Sequence, residues 1–203
     1  MYRSSVSRLK VTICLSLVAT CCACSGLSFS QGEPGLEKDV LLTESELVGK
    51  AQALVRQFVG QLKPTLKAAL ESQGPAAAIA VCAERAPAIA AKLSEESGWQ
   101  IKRVSLKPRN PSAEPDRWQA EQLRVFDIEA AKRPNQSLKL SSWRPGYFRY
   151  LQAQRVEPLC LTCHGEVIAQ SISEQLAQYY PVDAATGYQL GQVRGAIAVD
   201  YMW

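Results

Sequence analysis

The stretch Cys160-Leu161-Thr162-Cys163-His164-Gly165 dictates what the rest of the chain has to be folded around. Two cysteines two residues apart, with a histidine directly after the second, form the attachment pattern of a c-type haem. The spacing follows from the chemistry: each thiol adds to one of the two porphyrin vinyl groups, and one turn of backbone reaches both. The next residue then lies against the ring face, where a neutral imidazole nitrogen can bind iron as the proximal axial ligand. Glycine after the histidine suits a tight turn beside a large flat group, because it has no side chain to clash.

Two other readings of the same residues stay open. A thioredoxin-like redox pair is one, but that motif opens a helix after a βαβ strand, whereas Glu157-Pro158-Leu159 precedes this one. A zinc site built from Cys82, Cys160, Cys163 and His164 is the other, with residue types that suit a four-coordinate structural metal. Adjacent Cys163 and His164 would hold one tetrahedral ion awkwardly.

Working outward, the 203 residues are enough for one domain of ordinary size after an export segment. Residues 1–10 are basic and polar and residues 11–23 almost wholly apolar, which is how a secretory signal begins; the apolar run is too short to span a bilayer. The expected division is a signal peptide over 1–24, a linker over 25–42 and a c-type haem-binding domain over 43–203. Ala23-Cys24-Ser25-Gly26 resembles a lipobox junction, which would attach the protein to a membrane through an N-terminal lipid; ordinary cleavage nearer Ser30 is the competing reading. Either cleavage places the folded part in the periplasm or otherwise outside the cytoplasm, where haem is attached covalently. Three of the charges behind the net +4 are Arg3, Arg8 and Lys10, inside the signal, so nothing argues for a nucleic-acid partner. Of seven cysteines, Cys14, Cys21, Cys22 and Cys24 belong to the signal or its edge, and Cys82 is the odd thiol left beside the haem pair.

The first regular element opens at Thr43, which forms a capping box with Glu46. Leu47, Ala51, Leu54, Val55, Phe58, Leu62 and Leu66 then recur at helical spacing, a long amphipathic helix with a bend at Pro64. A second helix is expected from Pro75 to Ser97, ended by Gly98. Its run of small residues, Ala77 to Ala83, suits close packing against a sheet or over a haem face. An edge strand over 101–106, a proline-bounded loop over 107–111, a helix over 117–131 capped by Asp116, a strand over 147–156, a helix over 171–179 and a buried strand over 193–201 complete the outline. Helices first and strands later give an α+β fold with an antiparallel sheet flanked by helices.

With one histidine in the chain, bis-histidine coordination within a monomer is impossible. Met202 is next to the last residue, where chains fray. Cys82 lies in an apolar helix, and is read either as an inert core cysteine or as a thiolate ligand that would favour ferric iron. Helical spacing puts Arg85 on nearly the face of Cys82, in reach of a haem propionate or of the thiolate. The basic residues Lys102, Arg103, Lys107 and Arg109 are read either as solvated charges or as one or two propionate clamps.

Four segments carry a resemblance: Ala80 to Pro87, Arg103-Val104-Ser105-Leu106-Lys107-Pro108-Arg109-Asn110-Pro111 with Pro115 to Trp118, Cys160 to Gly165, and Gly191 to Ile197. Together they resemble a family of exported monohaem c-type proteins of cyanobacteria and proteobacteria, long catalogued as a domain of unknown function. The resemblance runs from Thr43 to Tyr201, and it implies a PAS-like fold with one covalent haem c on the sheet. It further implies His164 and Cys82 as axial ligands and a role in redox or gas sensing. Members often carry the domain in front of a kinase or cyclase; here a separate redox or signalling protein is the expected partner. The resulting expectation is an electron-transfer or sensory haem protein with no turnover of its own. A haem enzyme of peroxidase or reductase type would need an open distal site with a proton donor, and no distal histidine exists. A haem-free zinc or thiol module is the remaining class. The sequence sets no oligomeric state.

Overall fold

The structure, a computed structural model, describes residues 42–203. The expected signal over 1–24, with its four cysteines, and the linker as far as residue 41 lie outside the described residues. In chain order the helical part is α1 (Glu44–Gln73), α2 (Pro75–Ala80), a π turn (Val81–Arg85) and α3 (Ala86–Ser97). After it come β1 (Gln100–Val104), α4 (Arg117–Lys132), β2 (Lys139–Arg144), β3 (Tyr147–Arg155), α5 (Pro158–His164), α6 (Gln170–Tyr179) and β4 (Val193–Met202). The strands make one antiparallel sheet in the order β1-β4-β3-β2. The architecture is therefore α+β with a long N-terminal helix, as the element order predicts. Among the described residues no helix is long and apolar enough to cross a membrane.

Local chemistry sets the boundaries. Thr43 and Glu46 form the reciprocal capping box that starts α1, and Asp116 with Gln119 does the same for α4. The helix α1 continues through Pro64 to Gln73. Gly98, at φ 73° and ψ 8°, ends α3 in the left-handed conformation that glycine adopts most cheaply. The expected second helix is present but is not uniform. Pro87 has no N–H to offer the carbonyl of Ala83, and just before it the chain slips into a π turn in which Ala86 N–H donates to Val81.

Strand alternation divides the core in two. Ile101, Phe148, Tyr150, Ile197 and Val199 face the buried stripe of α1 (Leu47, Ala51, Leu54, Val55, Phe58, Leu62) and Leu93 of α3. Val104, Leu151, Ala196 and Ala198 face Leu123, Phe126 and Ala130 of α4. β1 is an edge strand and β4 a buried central one, as their residue types predict. β2 is an addition to that outline: its side chains are mostly half-buried or exposed, and Pro145-Gly146, with Gly146 at φ 79°, turns it back into β3.

One irregularity positions the site. Gln154 pairs with Gly195 but Arg155 pairs with Val193, so Arg194 is an extra residue on β4. Such a bulge re-aims a side chain. Without it Arg194 would share the α4 face with Ala196; with it, Arg194 lines the cavity on the α1 side, and Val193 packs with the α4 cluster.

Candidate functional site

A cavity of about 420 Å³ opens where the sheet's α1 face runs past its last packed residues. That volume lies in the range of small-molecule and cofactor pockets. Leu62 and Leu66 of α1, Ile79 of α2, Leu176 of α6 and Ile197 of β4 form apolar walls. Cys82, Cys160, Cys163 and His164, separated by 78 residues or more in the case of Cys82, all line it. The three thiols are half-buried and not joined as disulfides.

The motif forms a short helix, α5, entered through Pro158 in its first turn and ended at His164. Gly165 is required here. A β-carbon at this position would sit 2.7 Å from the Leu161 carbonyl oxygen, closer than real contacts allow. The chain after it is tied down in register, with Tyr188 N–H donating to the His164 carbonyl at 3.0 Å and Gly187 N–H to that of Gly165 at 2.9 Å. His164 itself is 9 % exposed, and its Nδ1 lies 2.7 Å from the carbonyl oxygen of Ala185. A carbonyl only accepts, so Nδ1 carries the proton and Nε2 keeps its lone pair. Burial, reinforced by the Arg194 and Arg109 cations, pushes the imidazole down to about 2. The ring is thus a neutral donor with its tautomer fixed, the arrangement seen in metal-binding histidines.

The string from Arg103 to Arg109 explains itself in this geometry, because its alternate residues each tie a different segment of the site. Arg103 Nη2 donates to the Cys82 carbonyl at 3.2 Å, anchoring the π turn. Ser105 Oγ donates to the Arg194 carbonyl at 2.6 Å, holding the bulge. Lys107 Nζ donates to the Thr186 carbonyl and lies 4.6 Å from the ring centroid of Tyr188. Arg109 donates to the carbonyls of Cys163 at 2.5 Å and Ala185 at 3.3 Å and pairs with Asp183 at 2.9 Å. Arg109 thereby supports both the second cysteine and the carbonyl that orients His164.

Placement departs from the sequence in three ways. Arg85 does not share the Cys82 face: it is exposed and lines no part of the cavity, because in a π turn each residue advances less around the axis than the α spacing assumes. Lys107 also stays outside the cavity, its ammonium being committed to Thr186 and Tyr188. Arg109 is no solvated loop charge but is 8 % exposed and ion-paired. Arg103 lines the cavity, and so does Arg194, which sequence reasoning does not single out; only the bulge in the β3–β4 pairing brings it there. Met202 is 61 % exposed, eight residues along β4 from Arg194, or roughly 26 Å at strand rise. Among the described residues no three His, Cys, Asp or Glu side chains converge as a single-ion site, so the tetrahedral zinc arrangement is not assembled.

These residues fit a tethered iron porphyrin: two thiols on one helical turn, a neutral imidazole with one nitrogen committed, apolar walls, and cations at the margin. Burial raises the Cys163 thiol, with Arg109 pulling the other way, so in the bare protein it is held as an uncharged thiol.

The Tll0287-like family model matches residues 35–201. A solved structure, described as the cyanobacterial heme-protein Tll0287, aligns with a TM-score of 0.63 at 25% sequence identity, covering 79% of this chain and 97% of that chain. A comparison with curated proteins finds no match. With most of the described fold inside the matched span, the chain belongs to the Tll0287-like family.

Proposed function

We propose that this chain is an exported haem-binding protein that carries one haem c on Cys160 and Cys163 and works in electron transfer or in redox or gas sensing, without turnover of its own. The observation that carries the reading is His164: a buried, neutral imidazole whose Nδ1 is bound to Ala185, on the same cavity as the two motif thiols. A thioredoxin-like pair gives no reason for that histidine. The solved neighbour described as a heme-protein, at 25% identity, supports the same cofactor.

When bound, the iron porphyrin supplies a one-electron couple or a site for a diatomic ligand. The chain's own residues do the rest. Cys160 and Cys163 tether the group, and His164 Nε2 is the proximal donor. Cys82, on the cavity and with its carbonyl held by Arg103, is the proposed distal donor. As a thiolate it would favour the ferric state, and the apolar walls limit water and oxidants around it. If His164 and Cys82 both held the metal, a small molecule would bind it only once Cys82 withdrew, and the π turn would be the element that responds. A PAS-like relation of sheet to haem and release of the signal to a separate protein belong to this proposal as well.

The test is electron paramagnetic resonance of the ferric protein, purified from cells that mature c-type cytochromes, beside Cys82→Ala. A low-spin thiolate signal that disappears in the variant supports the assignment, and an unchanged spectrum removes Cys82. A protein that comes out colourless, with no porphyrin added to its mass, refutes the whole reading.

A further inference from the structure

The charged side chains around the cavity do not balance. Arg109 is paired with Asp183, and Lys63 with Glu157. Arg155 directs its guanidinium to the carbonyls of Ala130, Arg133, Gln136 and Gly191. Two arginines remain. Arg103 has one hydrogen bond, to the Cys82 carbonyl, and Arg194 has no side-chain partner among the described residues. Neither has a carboxylate within ion-pair distance among the described residues, although both line the same largely apolar space. Burial and the nearby Arg103 cation both act against the charge on Arg194, yet a guanidinium stays protonated in proteins. Two like cations facing one low-dielectric cavity call for an anion.

The backbone is built to keep Arg194 in that position. It is the extra residue of the β4 bulge, and its carbonyl is gripped from behind by Ser105 Oγ at 2.6 Å and Tyr188 Oη at 3.3 Å. Gly195 completes the device, since a β-carbon there would lie 2.3 Å from the Val104 carbonyl oxygen; only glycine lets β4 press this closely on β1. Strands do not usually invest a bulge, a serine latch and an obligatory glycine in one solvated arginine.

We infer that Arg194 and Arg103 form a two-arginine clamp for the carboxylates of the tethered group, its propionates, with Ser105 and Tyr188 as positioning residues. The inference rests on the haem reading above and adds to it the site's anion recognition. Arginine suits the task because its planar fork donates two parallel bonds to one carboxylate. A clamp of this kind keeps both propionates ionised through the physiological range, so reduction of the metal is not accompanied by proton uptake. Around the clamp the remaining charged or titratable groups are Arg109 with Asp183, Lys63 with Glu157, Arg155, Tyr180, His164, Cys82, Cys160 and Cys163.

The experiment is spectroelectrochemical titration of the haem-loaded protein between pH 5 and pH 8, on wild type, Arg194→Gln, Arg103→Gln and Arg194→Lys, after haem content has been fixed by pyridine haemochrome and mass. The expected result is a pH-independent midpoint in wild type, a slope approaching one proton per electron over part of the range in Arg194→Gln, and partial recovery of the flat profile in Arg194→Lys. Wild type with a proton-coupled slope of its own overturns the clamp, whether or not the variants fold. Identical flat profiles in wild type and both glutamine variants overturn it too. Absence of haem from wild type fails the haem reading, and the clamp with it; a loaded wild type with either adverse profile fails the clamp alone.

Discussion

Replacing Arg109 by leucine removes the tie that holds the two halves of the site together. Arg109 is 8 % exposed, its Asp183 partner's side chain 16 %, and the same guanidinium donates to the carbonyls of Cys163 and Ala185. Leucine fills much of the volume but strands a largely buried carboxylate and two carbonyls. Breaking one side of a buried pair in this way costs about 3–5 kcal/mol. With a urea slope of roughly 2 kcal/mol per M, the unfolding midpoint falls by roughly 1.5–2.5 M. The assay is urea unfolding followed by far-ultraviolet circular dichroism, with wild type and variant in the same haem-loaded state and equal slopes as a condition. Arg109→Leu combined with Asp183→Leu should lose less than the two single changes together, because no charge is then left alone. A single-variant loss below about 1 kcal/mol would show that the guanidinium is hydrated and that the packing described here is wrong.

Two further outcomes follow from other parts of the fold. Burial pushes Tyr150, 1 % exposed, up to about 12. Its folded form therefore holds the proton more tightly than the unfolded chain does, a contribution fully present below pH 10 and lost as pH rises toward 12. Unfolding free energies measured from pH 8 to pH 12 should fall in wild type by up to about 3 kcal/mol more than in Tyr150→Phe; parallel curves would refute the assignment. Glycine replacements should split in sign. Gly195→Ala forces a β-carbon against the Val104 carbonyl and costs about 1–3 kcal/mol, a drop of roughly 2–12 °C in Tm at this size. Gly49→Ala, exposed in the second turn of α1 with nothing within 4 Å, should instead raise Tm, through a helix-propensity gain of about 1 kcal/mol. Equal calorimetric shifts for the two would contradict the geometry.

What could be read from the chain was whatever local chemistry decides. Thr43 with Glu46, Asp116 before Arg117, and Gly98 after Ser97 are caps decided within a few residues, and all three form as expected; the return bond between Gln119 and Asp116 is an addition the structure makes. The apolar stripe of α1 is legible for the same reason, since helical period alone selects the buried face. The motif residues and Cys82 were visible as chemistry, and the fold brings them to one cavity. Arg194 was not legible, because its direction depends on how β4 pairs with β3, which skip over intervening elements in sequence. The α spacing that puts Arg85 beside Cys82 fails because both lie in the π turn just before Pro87; that proline, with its missing donor, is the available signal. The string from Arg103 to Arg109 carries a resemblance in the sequence but not its physical reason, since its four ties reach partners 21 to 89 residues away.

The π turn carries one extra residue in an otherwise α-helical run, and such slack can travel. If it migrated past Cys82 along the helix, that side chain would swing about the axis by roughly 100°, one residue's worth of α rotation, while Ala90 and Leu93 stayed seated in the core. The thiol would leave the cavity by a shuffle of backbone bonds within one turn, with no lid to open and no domain to move. The Arg103 bond to the Cys82 carbonyl is the stitch that such a shuffle has to undo first.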